Sequence, residues 1–336
     1  MKIHRKKLFF GILLAIIVAV AVGFAWYSFR YSDEEILRCT TVIEEQSYDE
    51  ISIDGKPKLF VGDINSPSSL ADATTIKDSL HKNRRFTVGF WINRYPLLPS
   101  CRGCIVTAGI DTSPDRITDS TVTSLVIGRL KTMFTARRDS LISITDELDY
   151  YLRVHDVQDE GFHSISQYAA RLRTERQHAD SVLSALKQLT DLSQLTIRRR
   201  RIYTLLYYSD RKTPHQTVAK LVRRDTRNGL ILLQTADRQT PDGICTVHLL
   251  PWRRPITPVV KSVSHPGIAF QPISAHSLHP QHIAGSCRRG RIYGFPKLLV
   301  TDGAPLFSVN GTFVGIFSNG RLISRRQVSH LFEKEK

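Results

Sequence analysis

The sequence predicts a mainly β fold that carries a helical insertion and is preceded by one transmembrane helix. Short runs of alternating apolar and polar residues, separated by glycine and proline, occur before residue 116 and again after residue 196. Between these regions, apolar residues recur at helical spacing over two long stretches. Residues 8–27 read LFFGILLAIIVAVAVGFAWY and contain no charged side chain.

The apolar segment is long enough to cross a bilayer, because about 20 residues rising about 1.5 Å each span about 30 Å. The flanking charges predict a cytoplasmic N-terminus and a C-terminal module across the membrane, since basic residues precede the segment and acidic residues follow it: Lys2, Arg5, Lys6 and Lys7, then Asp33, Glu34 and Glu35. A cleaved signal peptide is the alternative, but its apolar core is shorter and ends at small residues. This segment ends in Phe24, Trp26 and Tyr27. We therefore expect an uncleaved anchor in a bacterial inner membrane with the module facing the periplasm, or alternatively a eukaryotic type II protein.

The chain carries a net charge of +16. Its arginine clusters are scattered along the sequence, which is typical of a solvated basic surface: Arg198–Arg201, Arg253–Arg254, Arg288–Arg289–Arg291 and Arg325–Arg326. Attraction to anionic lipid or glycan is the functional alternative. Nucleic acid is not expected as a partner, because the module is predicted to lie outside the cytoplasm.

The five cysteines are an odd number, so one of them is expected to be free or paired with another chain. Cys101 and Cys104 form a single CxxC motif, for which a local disulfide or two reduced thiols are the alternatives. Cys245 and Cys287 are a second candidate pair. Neither a second CxxC nor a matching histidine pair accompanies the motif, so we expect no zinc site.

Three histidines, His276, His279 and His282, share a spacing of three residues. On one helical face this spacing could hold a metal, but Pro280 argues against a regular helix, and a polar loop is the better interpretation. We expect no metal and no cofactor.

The helical stretches run from Ile117 to Tyr151 and from Ile165 to Leu192, and polar residues around Asp156–Gly161 interrupt them. Two long amphipathic helices joined by a short turn predict an antiparallel hairpin. Its apolar stripe must be buried, by default between its own helices, or alternatively against another chain.

Residues Thr301–Ile316 read TDGAPLFSVNGTFVGI. This segment resembles the nucleophile region of trypsin-like serine proteases. In that family, Ser-Gly-Gly-Pro-Leu is followed by a strand, an Asn-Gly turn and a Val-Gly-Ile strand. Phe86–Ile92 resembles an early strand of that family. Cys104–Ile110 resembles the strand that delivers its catalytic histidine, and Leu221–Gln234 resembles the strand that carries its orienting aspartate. The four segments follow the family's order.

This resemblance implies a double β-barrel with the helical hairpin inserted into the first barrel. The expected organisation is a cytoplasmic tail (1–7), a transmembrane helix (8–27), a juxtamembrane stalk (28–57), the first barrel (58–115 and 197–250) interrupted by the hairpin (116–196), and a second barrel (251–336).

At the positions that match the family's catalytic histidine, aspartate and serine, this chain has Gly109 or Ile110, Gly229 and Asp302. Serine-type acyl transfer requires a hydroxyl, an imidazole and a carboxylate in hydrogen-bond order, so the resemblance implies an inactive protease homologue. Its former substrate cleft, around Asp302, Gly303 and Ala304, could still take an extended peptide of an envelope partner by strand addition. The hairpin could also support homo-oligomers.

Two other functions remain open from the sequence. One is an active hydrolase with an unorthodox site, in which Asp302 works with a neighbouring histidine. The other is a purely structural envelope protein whose barrels hold the hairpin.

Overall fold

The structure is a computed structural model of the chain. It describes residues 15–20, 23, 30–93, 102–109, 115–117, 119–189, 195–209, 213–249, 258–269, 279–296 and 299–332. The chain forms two compact units: residues 1–45, 85–112 and 202–336 make the first, and residues 46–84 and 113–201 make the second.

The first sheet closes into a barrel of six strands. These strands are β1 (Thr40–Ile53), β3 (Asn83–Asn93), β4 (Cys104–Ala108), β6 (Leu195–Tyr208), β7 (Pro214–Asp225) and β8 (Leu230–Thr235). They pair in the order β1-β3-β4-β8-β7-β6, and β6 returns to pair with β1. Two short strands extend this sheet, β2 (Lys56–Val61) beside β1 and β5 (Arg116–Ile117) beside β6, and β9 (Val247–His248) pairs with β3.

The second sheet is also a closed barrel of six strands. It consists of β10 (Val259–Ser264), β11 (Gln281–Arg288), β12 (Arg291–Tyr293), β13 (Pro305–Ser308), β14 (Phe313–Ser318) and β15 (Arg321–Ser324), in the order β10-β11-β12-β15-β14-β13. Numbered along the chain, the strands of each barrel follow the same order, 1-2-3-6-5-4. The prediction of a mainly β fold with two barrels is therefore confirmed.

Side chains from both barrels share one apolar core. Phe90 on β3 packs against Phe313 on β14, with ring centroids 5.2 Å apart, and Phe313 packs against Phe307 on β13 at 5.8 Å. Tyr31 and Val106 are buried in the same cluster. This shared core fixes the ends of the strands of one barrel against the other, which positions the candidate site.

Two long helices form an antiparallel hairpin in the second unit. Helix α3 spans Ser120–Val154 and α4 spans Phe162–Gln188. The Asp119 side chain accepts a hydrogen bond from the Thr121 N–H at 2.8 Å and so caps the start of α3. The buried residues of the two helices recur at helical spacing, and they join one cluster with residues of β1 and β2: Val126, Leu130 and Phe134 from α3, Ala179, Val182 and Leu186 from α4, and Ile51 and Leu59.

Three further short α-helices lie within the barrels' chain: α1 (Asp33–Arg38), α2 (Pro67–Ala71) and α5 (Arg325–His330). Helix α1 begins with a capping box, in which Ser32 and Glu35 satisfy each other's backbone N–H groups. Helix α5 begins with a similar box between Ser324 and Gln327.

The stalk predicted for residues 28–57 is wrong. The Tyr31 N–H donates to the Gly311 carbonyl at 2.9 Å, α1 follows at once, and β1 is a barrel strand from Thr40. The acidic residues of this segment suggested a solvated linker, but Glu50 is buried beside Arg200, which lies 150 residues away in sequence.

Among the described residues, no helix has the length and apolar character needed to cross a membrane. The predicted transmembrane segment lies largely outside these residues. Of it, residues 15–20 and 23 are described, and they are helical and exposed.

Candidate functional site

Three chain segments bring the predicted catalytic positions together. Strand β4 ends at Ala108 and β8 begins at Leu230, and these two residues are paired in the sheet. One step further along the same antiparallel register, Gly109 comes to lie opposite Gly229. The turn that precedes β13 then places Asp302 against Gly109. Ile110, the alternative to Gly109 in the alignment, lies outside the described residues.

The contact between Gly109 and Asp302 leaves no room for a side chain at residue 109. A Cβ atom added to Gly109 would lie 2.4 Å from Asp302 Cβ and 3.1 Å from Asp302 Oδ2. The backbone of Gly109 also has a φ of +77°, which is unfavourable for residues with a side chain. A catalytic base therefore cannot be accommodated at this position beside Asp302.

Asp302 is held by hydrogen bonds on two sides. Its carbonyl oxygen accepts a bond from the Thr87 hydroxyl at 2.8 Å, and its Oδ1 accepts a bond from the Asn319 N–H at 2.7 Å. The Thr87 hydroxyl also lies 3.2 Å from the Ala108 carbonyl oxygen. The carboxylate of Asp302 thus caps the turn between β14 and β15, which is a structural role.

Gly303 packs its backbone directly on the first barrel. A Cβ atom at this residue would lie 2.0 Å from the Val88 carbonyl oxygen and 2.5 Å from the Thr107 hydroxyl. Its φ of +93° is a second reason for glycine here. Ala304, the next residue of the predicted cleft, is fully buried. Two of the three cleft candidates, Gly303 and Ala304, are therefore packing positions, and Asp302 is the one that reaches the surface.

Backbone N–H groups of the turn donate within the protein. The N–H of Val300 donates to Pro296, that of Gly303 to Phe317, and that of Ala304 to Thr301, at 3.1, 2.9 and 3.4 Å. An oxyanion hole requires N–H groups that point at an incoming substrate. These three groups are already bonded to carbonyl oxygens, so they do not supply one.

The described histidines make contacts elsewhere. His265 Nε2 lies 3.3 Å from the Thr40 hydroxyl, and the ring of His279 stacks on Tyr208 with centroids 4.7 Å apart. The backbone N–H of His248 donates to the Tyr31 hydroxyl, and burial lowers the pKa of the His248 imidazole. Within the described part of the chain, no hydrogen bond or ion pair joins Asp302 to a histidine.

No group of three or more histidine, cysteine or acidic residues that could hold a metal ion is present among the described residues. His279 and His282 lie on either side of the start of β11, and His276 lies outside the described part. The expectation of no metal site at this run therefore stays a prediction.

The candidate disulfide between Cys245 and Cys287 is not formed. Both are free thiols, and they belong to different apolar clusters, Cys245 beside Tyr31 and Cys287 beside Ile292. Burial raises the pKa of Cys245 to about 12, which suppresses the thiolate. Cys104 is also free, and its predicted partner Cys101 lies outside the described residues.

Sequence reasoning missed the residues that lock Asp302 in place. Thr87 and Asn319 contact it across 215 and 17 positions of the sequence. Neither residue stands in a motif, so only the folded chain identifies them.

No family model and no curated protein matches the sequence. Solved structures with a similar fold include Deg5 (11% identity, 85% of each chain covered, TM-score 0.34). The MamO protease domain from Magnetospirillum magneticum is 14% identical over 39% of this chain and 75% of its own, with a TM-score of 0.27. An inactive form of Rv3671c from M. tuberculosis H37Rv is 9% identical over 88% of this chain and 87% of its own, with a TM-score of 0.32.

The fold follows from the strand order of the two barrels. Both barrels are closed, both have six strands, and both follow the order 1-2-3-6-5-4. The two closed barrels give the chain the fold of a trypsin-like double barrel.

Proposed function

We propose that this chain is a membrane-anchored, catalytically inactive homologue of trypsin-like proteases that acts as a binding module in the cell envelope. The contact between Gly109 and Asp302 carries the proposal, because the base position holds no side chain and has no space for one. The hydrogen bonds of Asp302 add to it, since its carboxylate caps a turn.

Two observations support the anchor: residues 8–27 are apolar and uncharged, and the described residues among them are exposed. Ile16, Ile17, Val18 and Val20 expose between 53% and 66% of their surface. All of residues 15–20 are exposed, so side chains on every side of this helical segment are uncovered by the described part of the protein. A bilayer is the environment that covers such a surface. We place the barrels on the extracytoplasmic side, facing the periplasm, from the charges that flank the segment.

The partner we propose is an extended peptide or an unfolded segment of an envelope protein. A cleft between two barrels that lacks catalytic groups can still hold such a chain by strand addition. Self-association through the hairpin is a second part of the proposal. Tyr150, Val154 and Tyr168 on its helices expose 66%, 58% and 47% of their surface, which is high for apolar side chains.

The test is made on the full-length chain in detergent or lipid nanodiscs. A fluorophosphonate probe that traps active serine hydrolases and a casein-turnover assay are applied to the native chain and to Asp302→Ala. We expect neither labelling nor turnover in either protein. Labelling or turnover that Asp302→Ala abolishes would establish the alternative, an active hydrolase that uses Asp302.

A second experiment separates a binder from a purely structural protein. A photo-crosslinking amino acid is placed at Asn319, next to Asp302, and the chain is expressed in its own membrane. Reproducible adducts to one protein segment at this position support the binding role. Adducts that form only with lipid or with neighbouring copies of the chain contradict it.

A further inference from the structure

Three arginines form a transverse row on the outer surface of the second barrel. In the sheet, Arg288 on β11 is paired with Arg291 on β12, and Arg291 is paired with Arg321 on β15. Residues that are paired across antiparallel strands point to the same face. All three side chains are exposed, so the face is the outer one. With strands about 4.8 Å apart, the row is about 10 Å long.

A row of apolar and aromatic groups lies two residues away on the same face. Val259 on β10 is paired with Ser286, and Ser286 is paired with Tyr293. Val259 and Tyr293 expose 46% and 49% of their surface, although both are large apolar side chains. Alternation along the strands puts this row on the same side as the arginines. We call these six residues, Val259, Ser286, Arg288, Arg291, Tyr293 and Arg321, the arginine face.

Among the described residues, no acidic side chain balances the charges of the arginine face. Within the part of the chain that the structure describes, Arg288, Arg291 and Arg321 take part in no ion pair. Like charges directly opposite each other in a sheet destabilise it. Other arginines of this protein do have acidic partners, as Arg199 has Asp49 and Arg200 has Glu50. An external anion is the group that would balance this row.

The part of the chain that follows the apolar segment contacts β10 and β11, the strands that carry Val259, Ser286 and Arg288 of the arginine face. Tyr31 donates its N–H to the Gly311 carbonyl of the second barrel, and helix α1 then packs on β10 and β11. Lys261 on β10 pairs with Asp33 of α1 at 3.0 Å. Lys261 is two residues from Val259, so α1 covers the part of this surface next to the arginine face.

The distance to the proposed anchor is short. Tyr31 is four residues after Tyr27, the end of the apolar segment, and an extended chain spans at most about 3.5 Å per residue. The second barrel is therefore attached within about 14 Å of the end of the apolar segment. Basic side chains attract anionic lipid over about a Debye length, roughly 10 Å. A barrel tethered this closely cannot avoid the headgroup layer.

We infer that the arginine face binds the headgroups of anionic phospholipids and seats the second barrel on the membrane. The inference rests on the membrane anchor of the proposed function. The guanidinium groups suit phosphate oxygens, and the Tyr293 ring suits the interface between headgroups and acyl chains. A phosphate group could also come from solution, but a row of several charges beside an aromatic ring fits a surface of many headgroups better than one free ion.

The test compares the full-length native chain in two kinds of lipid nanodisc. One contains phosphatidylcholine alone, and in the other a third of the lipid is phosphatidylglycerol. Arginines are modified with phenylglyoxal, and the rate at each residue is followed by peptide mass spectrometry. We expect Arg288, Arg291 and Arg321 to react about fivefold more slowly in the anionic discs. Arg227 and Arg238, exposed in turns of the first barrel, serve as internal controls whose rates stay the same.

Two further arms identify the source of the anion. Addition of inorganic phosphate to the neutral discs should leave the three rates unchanged, and equal protection by phosphate would overturn the assignment to lipid. The variant Arg291→Gln removes the middle of the row and should restore much of the reactivity of Arg288 and Arg321 in anionic discs. Arg227→Gln is the matched control and should restore none.

The outcomes separate this inference from the anchor itself. If the chain stays with the discs in high salt but the three rates are equal in both lipids, the arginine face does not bind lipid and the anchor stands. Protection of Arg227 and Arg238 to the same degree would also overturn the inference, because it would show general attraction of a basic protein. If the chain leaves the neutral discs, both the anchor and the inference fall.

Discussion

Gly109 and Asp302 are in direct backbone-to-side-chain contact, and a Cβ atom at residue 109 would lie 2.4 Å from Asp302 Cβ. In the alignment with trypsin-like proteases, these positions belong to the base and the nucleophile. In an active protease, the imidazole of the catalytic base occupies the space between the backbone of that residue and the nucleophile. Here the backbone of Gly109 lies against the side chain of Asp302, so no imidazole has space between the two residues.

The Gly109 contact predicts a difference between two alanine substitutions. Gly109 and Gly229 have similar φ values, +77° and +65°, so alanine at either residue carries the penalty of a left-handed backbone, about 1–2 kcal/mol. Only Gly109 has Asp302 against it, because nothing lies within 4 Å of a Cβ at Gly229. We expect Gly109→Ala to lower the free energy of unfolding by about 2 kcal/mol more than Gly229→Ala. Urea unfolding followed by the fluorescence of the buried Trp91 measures this difference.

A double-mutant cycle assigns that difference to Asp302. In the background Asp302→Gly, which has no Cβ, the extra penalty of Gly109→Ala should largely disappear. Equal penalties for Gly109→Ala in the two backgrounds would mean that the contact does not exist in solution.

Removal of the Thr87 hydroxyl, at the same site, is also expected to lower the free energy of unfolding. Its hydroxyl donates to the Asp302 carbonyl at 2.8 Å, and valine has nearly the same shape without the donor. We expect Thr87→Val to destabilise the chain by about 1–2 kcal/mol, because the carbonyl loses its partner. Thr217→Val on β7 is the matched control, since no hydrogen bond of the Thr217 hydroxyl is present among the described residues. If the two variants unfold at the same urea concentration, the bond to Asp302 contributes nothing.

The barrels and the helical hairpin could be predicted from the sequence because their signals are local. Apolar spacing marks α3 and α4, and the Asn310–Gly311 pair marks the hairpin between β13 and β14. The alignment also identified the three segments that meet at Gly109, Gly229 and Asp302, since their order along the chain is that of the family.

The stalk was predicted wrongly because the relevant contacts are not local. Asp49 and Glu50 on β1 suggest a solvated segment when they are read alone. Their partners, Arg199 and Arg200 on β6, lie 150 residues later. The closure of Gly109 onto Asp302 likewise depends on how two barrels pack, and neither residue carries a local sign of it. The sequence shows which residues stand at the three matched positions, whereas the lack of space at Gly109 is visible only in the folded chain.

Outside the candidate site, we expect the substitution Arg199→Leu to cause the largest single decrease in the free energy of unfolding. Its guanidinium bonds Asp49 at 2.8 Å and Asp63 at 2.9 Å, and the Asp49 side chain is completely buried. Replacement by leucine leaves a buried carboxylate without its counter-charge, which typically costs about 3–5 kcal/mol. Asp49 keeps one partner, the Ile64 N–H at 2.9 Å, so we expect a value near the lower end.

Arg138→Leu is the control for Arg199→Leu. Arg138 pairs with Asp139, but 58% of the Asp139 side chain is exposed. Solvent screens such an exposed pair, so the control should unfold close to the native chain. Equal destabilisation by the two variants would indicate that loss of an arginine stem, and not an uncompensated Asp49, is responsible.

The ion pair between Glu50 and Arg200 predicts how stability changes in acid. The hydrogen bond from Arg200, 2.8 Å from Nε to Oε2, lowers the pKa of Glu50 in the folded chain, and Ser52 adds a weaker contribution. In the unfolded chain the pKa of glutamate is about 4.3. Between the two pKa values, the unfolded state therefore binds more protons than the folded state. The stability that this ion pair contributes is present above about pH 4.3, and it is lost as the pH falls through the lower pKa of the folded chain. Urea midpoints measured from neutral pH into this acid range should thus fall more steeply for the native chain than for Glu50→Gln, and the two curves should converge below the folded pKa.

The effect is small, because nearly half of the Arg200 side chain is exposed. Glu160→Gln, at an exposed carboxylate in the turn of the hairpin, controls for the loss of one negative charge and should follow the native curve. Curves for Glu50→Gln and the native chain that stay parallel throughout would show that Arg200 does not hold Glu50 ionised.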